Sequence, residues 1–161
     1  MTVTLLKILL IIILAFIFVQ DLRYRVIHVL LPISLGIVGY ILLKQSGNTI
    51  YDLLPSFLFV SITVLGLWMY LSIKNRSLVN PLKSAIGIGD ILFFVMIIPL
   101  FSFVNYIYFY IIGLLLSALI HILFSKRSKD NTIPLAGYLS TYLIILYTFE
   151  IITQSNILYY I

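Results

Sequence analysis

Six apolar segments divide the chain, and short polar stretches separate them. The segments cover residues 4–20, 27–43, 53–73, 87–104, 106–124 and 133–152. Each has about 17–21 residues, enough for a helix to cross a hydrocarbon core of ~30 Å at ~1.5 Å per residue. The alternating polarity of membrane barrel strands is absent from these runs. The pattern predicts an all-α, polytopic membrane protein, a bundle of six transmembrane helices in a single domain over residues 1–161.

Composition agrees with a membrane protein and excludes several chemistries. The chain is 63% hydrophobic and only 9% charged, whereas soluble domains carry roughly 25% charged residues. Without cysteine it can form neither a disulfide nor a thiol nucleophile. Two histidines, far apart in sequence, are too few to suggest a metal site, so we expect no metal or cofactor. The net charge of +5 is concentrated in short loops, which favours a lipid bilayer rather than a nucleic acid as partner.

The basic residues occupy alternate connections between the apolar segments. Eight of the ten lie in the first, third and fifth connections, at Arg23, Arg25, Lys74, Arg76, Lys83, Lys126, Arg127 and Lys129. Because positive residues are retained on the cytoplasmic side, these connections are expected to be cytoplasmic and both termini outside. The first segment is interpreted as a retained span, since no small-x-small cleavage site precedes Gln20.

This topology places two aspartates at the same membrane face. Asp21 closes the first apolar segment, and Asp90 opens the fourth within Gly87-Ile88-Gly89-Asp90. An acid beside a membrane span is costly to keep charged, so such a residue is first interpreted as part of a functional site. Two carboxyls in a partly desolvated site share a proton, so one serves as base and the other as acid. Such a pair can activate water, and the glycines let a substrate chain approach closely.

The helix dipoles distinguish the two acids. Asp21 is expected near a helix C-terminus and Asp90 near a helix N-terminus, so Asp90 is predicted to be the more often ionised member. His28 follows Asp21 closely and could hydrogen-bond the pair or anchor the chain at the interface. At the opposite face, Asp52 is expected at an interface or helix start, and Glu150 at the interface.

The same residues resemble a known family. Residues 20–27, Gln-Asp-Leu-Arg-Tyr-Arg-Val-Ile, followed by residues 85–91, Ala-Ile-Gly-Ile-Gly-Asp-Ile, resemble the type IV prepilin peptidases, which are membrane aspartic peptidases of the Gly-x-Gly-Asp type. Residues 133–137, Ile-Pro-Leu-Ala-Gly, are similar to the start of the family's final helix. The resemblance implies that Asp21 and Asp90 are catalytic, supported by Gly87 and Gly89. It also implies cleavage of leader peptides from prepilin- or pseudopilin-like proteins at the cytoplasmic face of the inner (plasma) membrane, in type IV pilus assembly or protein secretion.

Three positions depart from the family pattern. His28 and Val29 stand where Pro-Asn is usual, and Leu92 stands where Lys is usual. The short first connection and the lack of cysteine resemble the short, peptidase-only members, so no methyltransferase activity is expected. Two alternatives remain open. One is a catalytically inactive relative that acts as a membrane scaffold or assembly component of a pilus or secretion system. The other is a small proton-coupled transporter, for which the sequence offers no acid at mid-depth.

Overall fold

A computed structural model describes residues 2–76, 87–124, 134–154 and 158, and these residues form helices and no strands. The α-helices are α1 (Thr2–Tyr24), α2 (Leu30–Gln45), α3 (Leu54–Asn75), α4 (Ile88–Met96), α5 (Phe103–Phe124) and α6 (Leu135–Thr153). Short 3-10 turns at Ile50–Leu53 and Ile98–Leu100 precede α3 and follow α4. Each predicted apolar segment contains a helix, which confirms the all-α class. The basic residues predicted at Lys83, Lys126, Arg127 and Lys129 lie outside the described residues.

Four of the described helices are long and apolar enough to cross a membrane. They are Val3–Tyr24, Ile50–Asn75, Phe103–Leu123 and Leu135–Thr153. The apolar helices at Leu30–Gln45 and Ile88–Leu100 are shorter, and the sixteen residues of α2 extend only ~24 Å. The chain is therefore a membrane protein, and four of the six predicted spans contain helices long and apolar enough to cross a bilayer.

The predicted segment 87–104 is not one helix. α4 ends at Met96, a 3-10 turn follows, and α5 begins at Phe103 rather than near residue 106. Pro99 explains the break, because proline has no N–H to donate and its ring clashes with the preceding helical turn. The predicted boundary between the fourth and fifth segments is therefore wrong by several residues.

Protein groups satisfy the backbone at this break. The hydroxyl of Tyr106 donates to the carbonyl of Phe94 at 3.1 Å, and the hydroxyl of Tyr147 lies 3.5 Å from the carbonyl of Leu100. Both tyrosines are fully buried. Non-helical backbone is tolerated at membrane depth where it is enclosed by protein, so the two tyrosines allow the chain to turn inside the bundle.

The antiparallel pair of α1 and α6 forms the centre of the bundle. Leu10, Leu14 and Ile17 are fully buried on α1, at the four- and three-residue spacing of one helix face. Leu139 and Leu143 are buried on α6. α1 also packs on α2, and α5 packs on α6. At one end of this pair the last turn of α1 lies beside the start of α6, and at the other end the start of α1 lies beside the last part of α6.

The second helix packs against α4 and the turn that follows it. A Cβ at Gly36 would lie 2.7 Å from Sδ of Met96, and a Cβ at Gly39 would lie 2.8 Å from Cδ2 of Leu100. Small residues are what allow helix backbones to approach closely in a membrane, where no hydrophobic effect drives helices together. The two glycines therefore hold α4, and the acid at its start, close to α2.

Candidate active site

Asp21 lies in the last full turn of α1 and is almost buried, at 5% exposure. α1 ends at Tyr24, and Arg25 adopts a left-handed conformation with φ of 54°. The N–H of Arg25 still donates to the carbonyl of Asp21 at 3.1 Å. A left-handed residue directly after the last helical one is a common way to end a helix and turn the chain. This end brings Arg25 back beside Asp21, with which it interacts electrostatically.

Asp90 lies in the first turn of α4, at the third helical position after Gly87. Gly87 has extended dihedral angles and acts as the N-cap residue. A Cβ added at Gly87 would lie 3.2 Å from Oδ2 of Asp90, so the carboxyl turns back onto the glycine backbone. An acid at this position commonly reaches back to the N-cap N–H. Asp90 is half-buried, and Gly87 and Ile88 beside it are exposed, which leaves this acid the more accessible of the two.

The start of α6 joins the two acids. The N–H of Ala136 donates to Oδ1 of Asp90 at 3.2 Å, and the N–H of Gly137 donates to Oδ2 of Asp21 at 2.6 Å. The first N–H groups of a helix have no partner inside the helix, and they carry the positive end of its dipole. Two consecutive amides therefore hold two carboxyls side by side at one end of the bundle.

The space between Gly137 and Asp21 is too small for an ordinary side-chain contact. A Cβ there would lie 3.1 Å from Oδ2 and 3.3 Å from Cβ of Asp21. A side chain there would require Asp21 to move by a few tenths of an ångström relative to the amide whose hydrogen bond it accepts. The sequence pattern placed Gly137 at the start of a final helix but did not point to the amides of Ala136 and Gly137 as site groups. The signal available was Pro134, after which the helix begins.

The contacts at the start of α6 also change the predicted effect of the helix dipoles on the two acids. That expectation considered only the helix on which each acid lies, and it left Asp21 at an unfavourable helix end. In the structure, Asp21 accepts from the start of α6, as Asp90 does. Both carboxyls thus gain from a helix N-terminus. Because the two carboxyls lie close enough to repel each other as anions, a proton on one of them would relieve that repulsion.

His28 and Gly89 contact residues in or beside the turn between α1 and α2. His28 is exposed. Its backbone N–H donates to Oε1 of Gln20 at 3.0 Å, and its ring Nδ1 accepts from the backbone N–H of Leu30, with 3.4 Å between the two nitrogens. These hydrogen bonds place His28 in the turn between α1 and α2. A Cβ at Gly89 would meet Ile27 at 3.6 Å, an ordinary contact. The start of α4 is therefore tied to the same turn.

Among the described residues, no group of three or more His, Asp or Glu side chains could hold a metal ion. In comparisons with protein-family models, with curated proteins and with solved structures, no match to this chain is found. Inference about function therefore depends on the chemistry of Asp21 and Asp90 and on their placement at the end of a membrane helix bundle.

Proposed function

We propose that this protein is a membrane aspartic endopeptidase that uses Asp21 and Asp90 to cleave leader peptides from prepilin- or pseudopilin-like proteins. The observation that carries the proposal is the pair of hydrogen bonds from consecutive amides of α6 to the two carboxyls. The pair brings together residues 69 positions apart in the chain (90 − 21). The sequence resemblance to the type IV prepilin peptidases supplies the reaction and the substrate class.

The chemistry needs one ionised and one protonated carboxyl. The ionised carboxylate takes a proton from water as the water oxygen bonds to the peptide carbonyl carbon, and the other acid donates a proton to the carbonyl oxygen. The tetrahedral species then loses its C–N bond, and the nitrogen leaves with a proton from the pair. No covalent intermediate forms. Because the amides of α6 fix both carboxyls in advance, little reorganisation is required during the reaction.

Orientation in the membrane follows from the charged ends of the helices. Arg23 and Arg25 adjoin Asp21, and Lys74 and Arg76 lie at the end of α3. We take successive helices to alternate in direction, which places these cations at the aspartate end of the bundle. The positive-inside rule then assigns that end to the cytoplasm and both termini to the outside. A substrate with a basic leader would present its cleavage site at this face of the inner membrane.

Co-expression with a single-span prepilin-like protein that carries a basic leader tests the proposal. Asp21→Asn and Asp90→Asn keep an oxygen acceptor for the α6 amides but cannot act as acid and base. Both variants should leave the substrate at precursor size, whereas the parent should convert it to mature size. Asp52→Asn is the matched control, since Asp52 accepts only from Thr49 in the described residues, and it should process normally. Normal processing by both site variants would overturn the proposal.

A further inference from the structure

The opposite end of the α1–α6 pair contains a buried ion pair. Nζ of Lys7 lies 2.8 Å from Oε2 of Glu150, and their side chains are only 7% and 1% exposed. Glu150 was expected at a membrane interface; it lies near the end of α6 and is buried against Lys7. The antiparallel packing of α1 on α6 brings Glu150 against Lys7 and covers both. Charged side chains within membrane segments are costly and are generally paired and functional.

Glu150 also holds a second part of the chain. Its Oε1 accepts from the N–H of Leu158 at 2.8 Å. The carbonyl of Leu158 in turn accepts from the N–H of Ser102 at 2.9 Å and from Nδ2 of Asn105 at 3.1 Å. One carboxylate therefore connects α1, α6 and, through Leu158, the start of α5. Such a group has few alternative positions once its partners are in place.

The two polar contacts between α1 and α6 have matching spacing. On α1, Lys7 and Asp21 are fourteen residues apart, or ~21 Å along the helix. On α6, Gly137 and Glu150 are thirteen residues apart, or ~20 Å. Both contacts can thus form at once in straight antiparallel helices. A slip by one helical turn of ~5.4 Å would break both.

Apolar packing alone does not select this register strongly. Between the two contacts, the buried residues of α1 are leucine and isoleucine and those of α6 are Leu139, Ser140, Leu143 and Tyr147, so the contact between the helices is mainly apolar. Lipid tails are as apolar as these side chains, so nothing hydrophobic opposes the slip. Buried ionic groups add little stability relative to apolar replacements, but setting register is their best-supported role.

We propose that Lys7 and Glu150 are positioning residues that set the register of α1 against α6 and so bring Asp21 to the amide of Gly137. The two residues act from the far end of the helix pair and touch no substrate. Their effect on cleavage depends on the proposed function, whereas their effect on register does not. The two claims can therefore be tested separately.

A disulfide assay measures the register directly, because the chain has no native cysteine. A Cβ at position 137 lies 3.3 Å from Cβ of Asp21, close to the ~3.5–4.5 Å that a disulfide spans. Asp21→Cys with Gly137→Cys should therefore oxidise quickly. Asp21→Cys with Thr141→Cys, one turn further along α6, should oxidise more slowly. The ratio of the two oxidation rates, followed by loss of maleimide-reactive thiols, reports the register.

The informative background is Lys7→Met with Glu150→Gln, which removes both charges and leaves no unpaired ion. We expect helix content and thermal stability near those of the parent, with the rate ratio reduced by roughly fivefold or more. A purely stabilising pair would not change the ratio in a folded protein. Lys44→Met is the matched control, because Lys44 is exposed at the end of α2, and the ratio should stay at the parent value. Lys7→Arg, which keeps the positive charge, should also leave the ratio of oxidation rates at the parent value.

An unchanged ratio in the folded Lys7→Met, Glu150→Gln background would overturn the proposal. If that background loses helix content by circular dichroism, Glu150→Gln alone is measured under the same criteria, since glutamine still offers an oxygen to Leu158. The assay contains neither substrate nor Asp21. A positive result therefore stands even if the chain proves not to be a peptidase, and a negative result leaves the cleavage experiment intact.

Discussion

The two ends of the α1–α6 pair both bury charged groups but balance them differently. At one end, Lys7 and Glu150 have opposite charges and neutralise each other at 2.8 Å. At the other end, Asp21 and Asp90 have the same charge and meet through neutral backbone amides. A neutralised pair needs nothing further, whereas two adjacent carboxyls need a proton. The ion pair is thus balanced within the bundle, whereas the two carboxyls repel each other beside Arg25.

Removing one member of the ion pair should have the largest effect on stability. Lys7→Met leaves the Glu150 carboxylate buried without its cation, and losing one partner of a buried pair costs about 3–5 kcal/mol. Thermal unfolding in detergent should show a clear drop for Lys7→Met. Lys44→Met removes a lysine that lies over the ring of Tyr40 and should cost below about 1 kcal/mol. Equal stability of the two variants would show that the ion-pair end is not structural.

Crowding the aspartate end should affect cleavage more than folding. In Gly137→Ala, the new methyl lies 3.1 Å from Oδ2 of Asp21, so the carboxyl must shift. The required shift of a few tenths of an ångström is smaller than the ~1 Å misplacement that can cost ~10²-fold, so we expect cleavage rates to fall by up to about tenfold. Gly66→Ala is the matched control, since a Cβ there meets nothing within 4 Å. Parent-level cleavage by Gly137→Ala would contradict the site geometry.

A third acid, Asp52, lies at an ordinary helix start, and its loss should have the smallest effect on stability and cleavage. Asp52 accepts from the N–H and hydroxyl of Thr49 at 2.7 and 3.0 Å, as the helix-start interpretation of the sequence predicted. Asp52→Ala removes this contact and should cost about 1 kcal/mol, without change in cleavage. Calorimetry combined with the co-expression assay checks both parts. A loss of processing would mean that this face also contributes to function.

The all-α class and the meeting of Asp21 with Asp90 at one end were predictable from local patterns. Apolar length predicts the helices, and alternation of the basic connections predicts that the two acids lie at the same end. The break at Pro99 was a local signal that the hydropathy pattern concealed, because apolar residues continue on both sides of it. A search for proline within apolar runs would have found it.

The partners supplied by α6 were not predictable in the same way. Which helix packs on α1 depends on tertiary contacts between apolar surfaces that look alike in sequence. Lys7 and Glu150 are 143 positions apart (150 − 7), and no local pattern relates them. The amide of Gly137 has no side chain that could signal a role. Both features became visible only when the register of α1 against α6 was known.

The central claim is that Asp21 and Asp90 act as one acid–base unit. Purified protein in proteoliposomes, mixed with a prepilin-like substrate, allows the rate of leader removal to be measured for each variant. Residues that act as a unit have strongly non-additive effects. We predict that Asp21→Asn and Asp90→Asn each lower the rate by about 10³-fold or more, and that the double variant is no slower than either alone. Cleavage by the double variant at the parent rate, or single effects that multiply in the double variant, would contradict the claim.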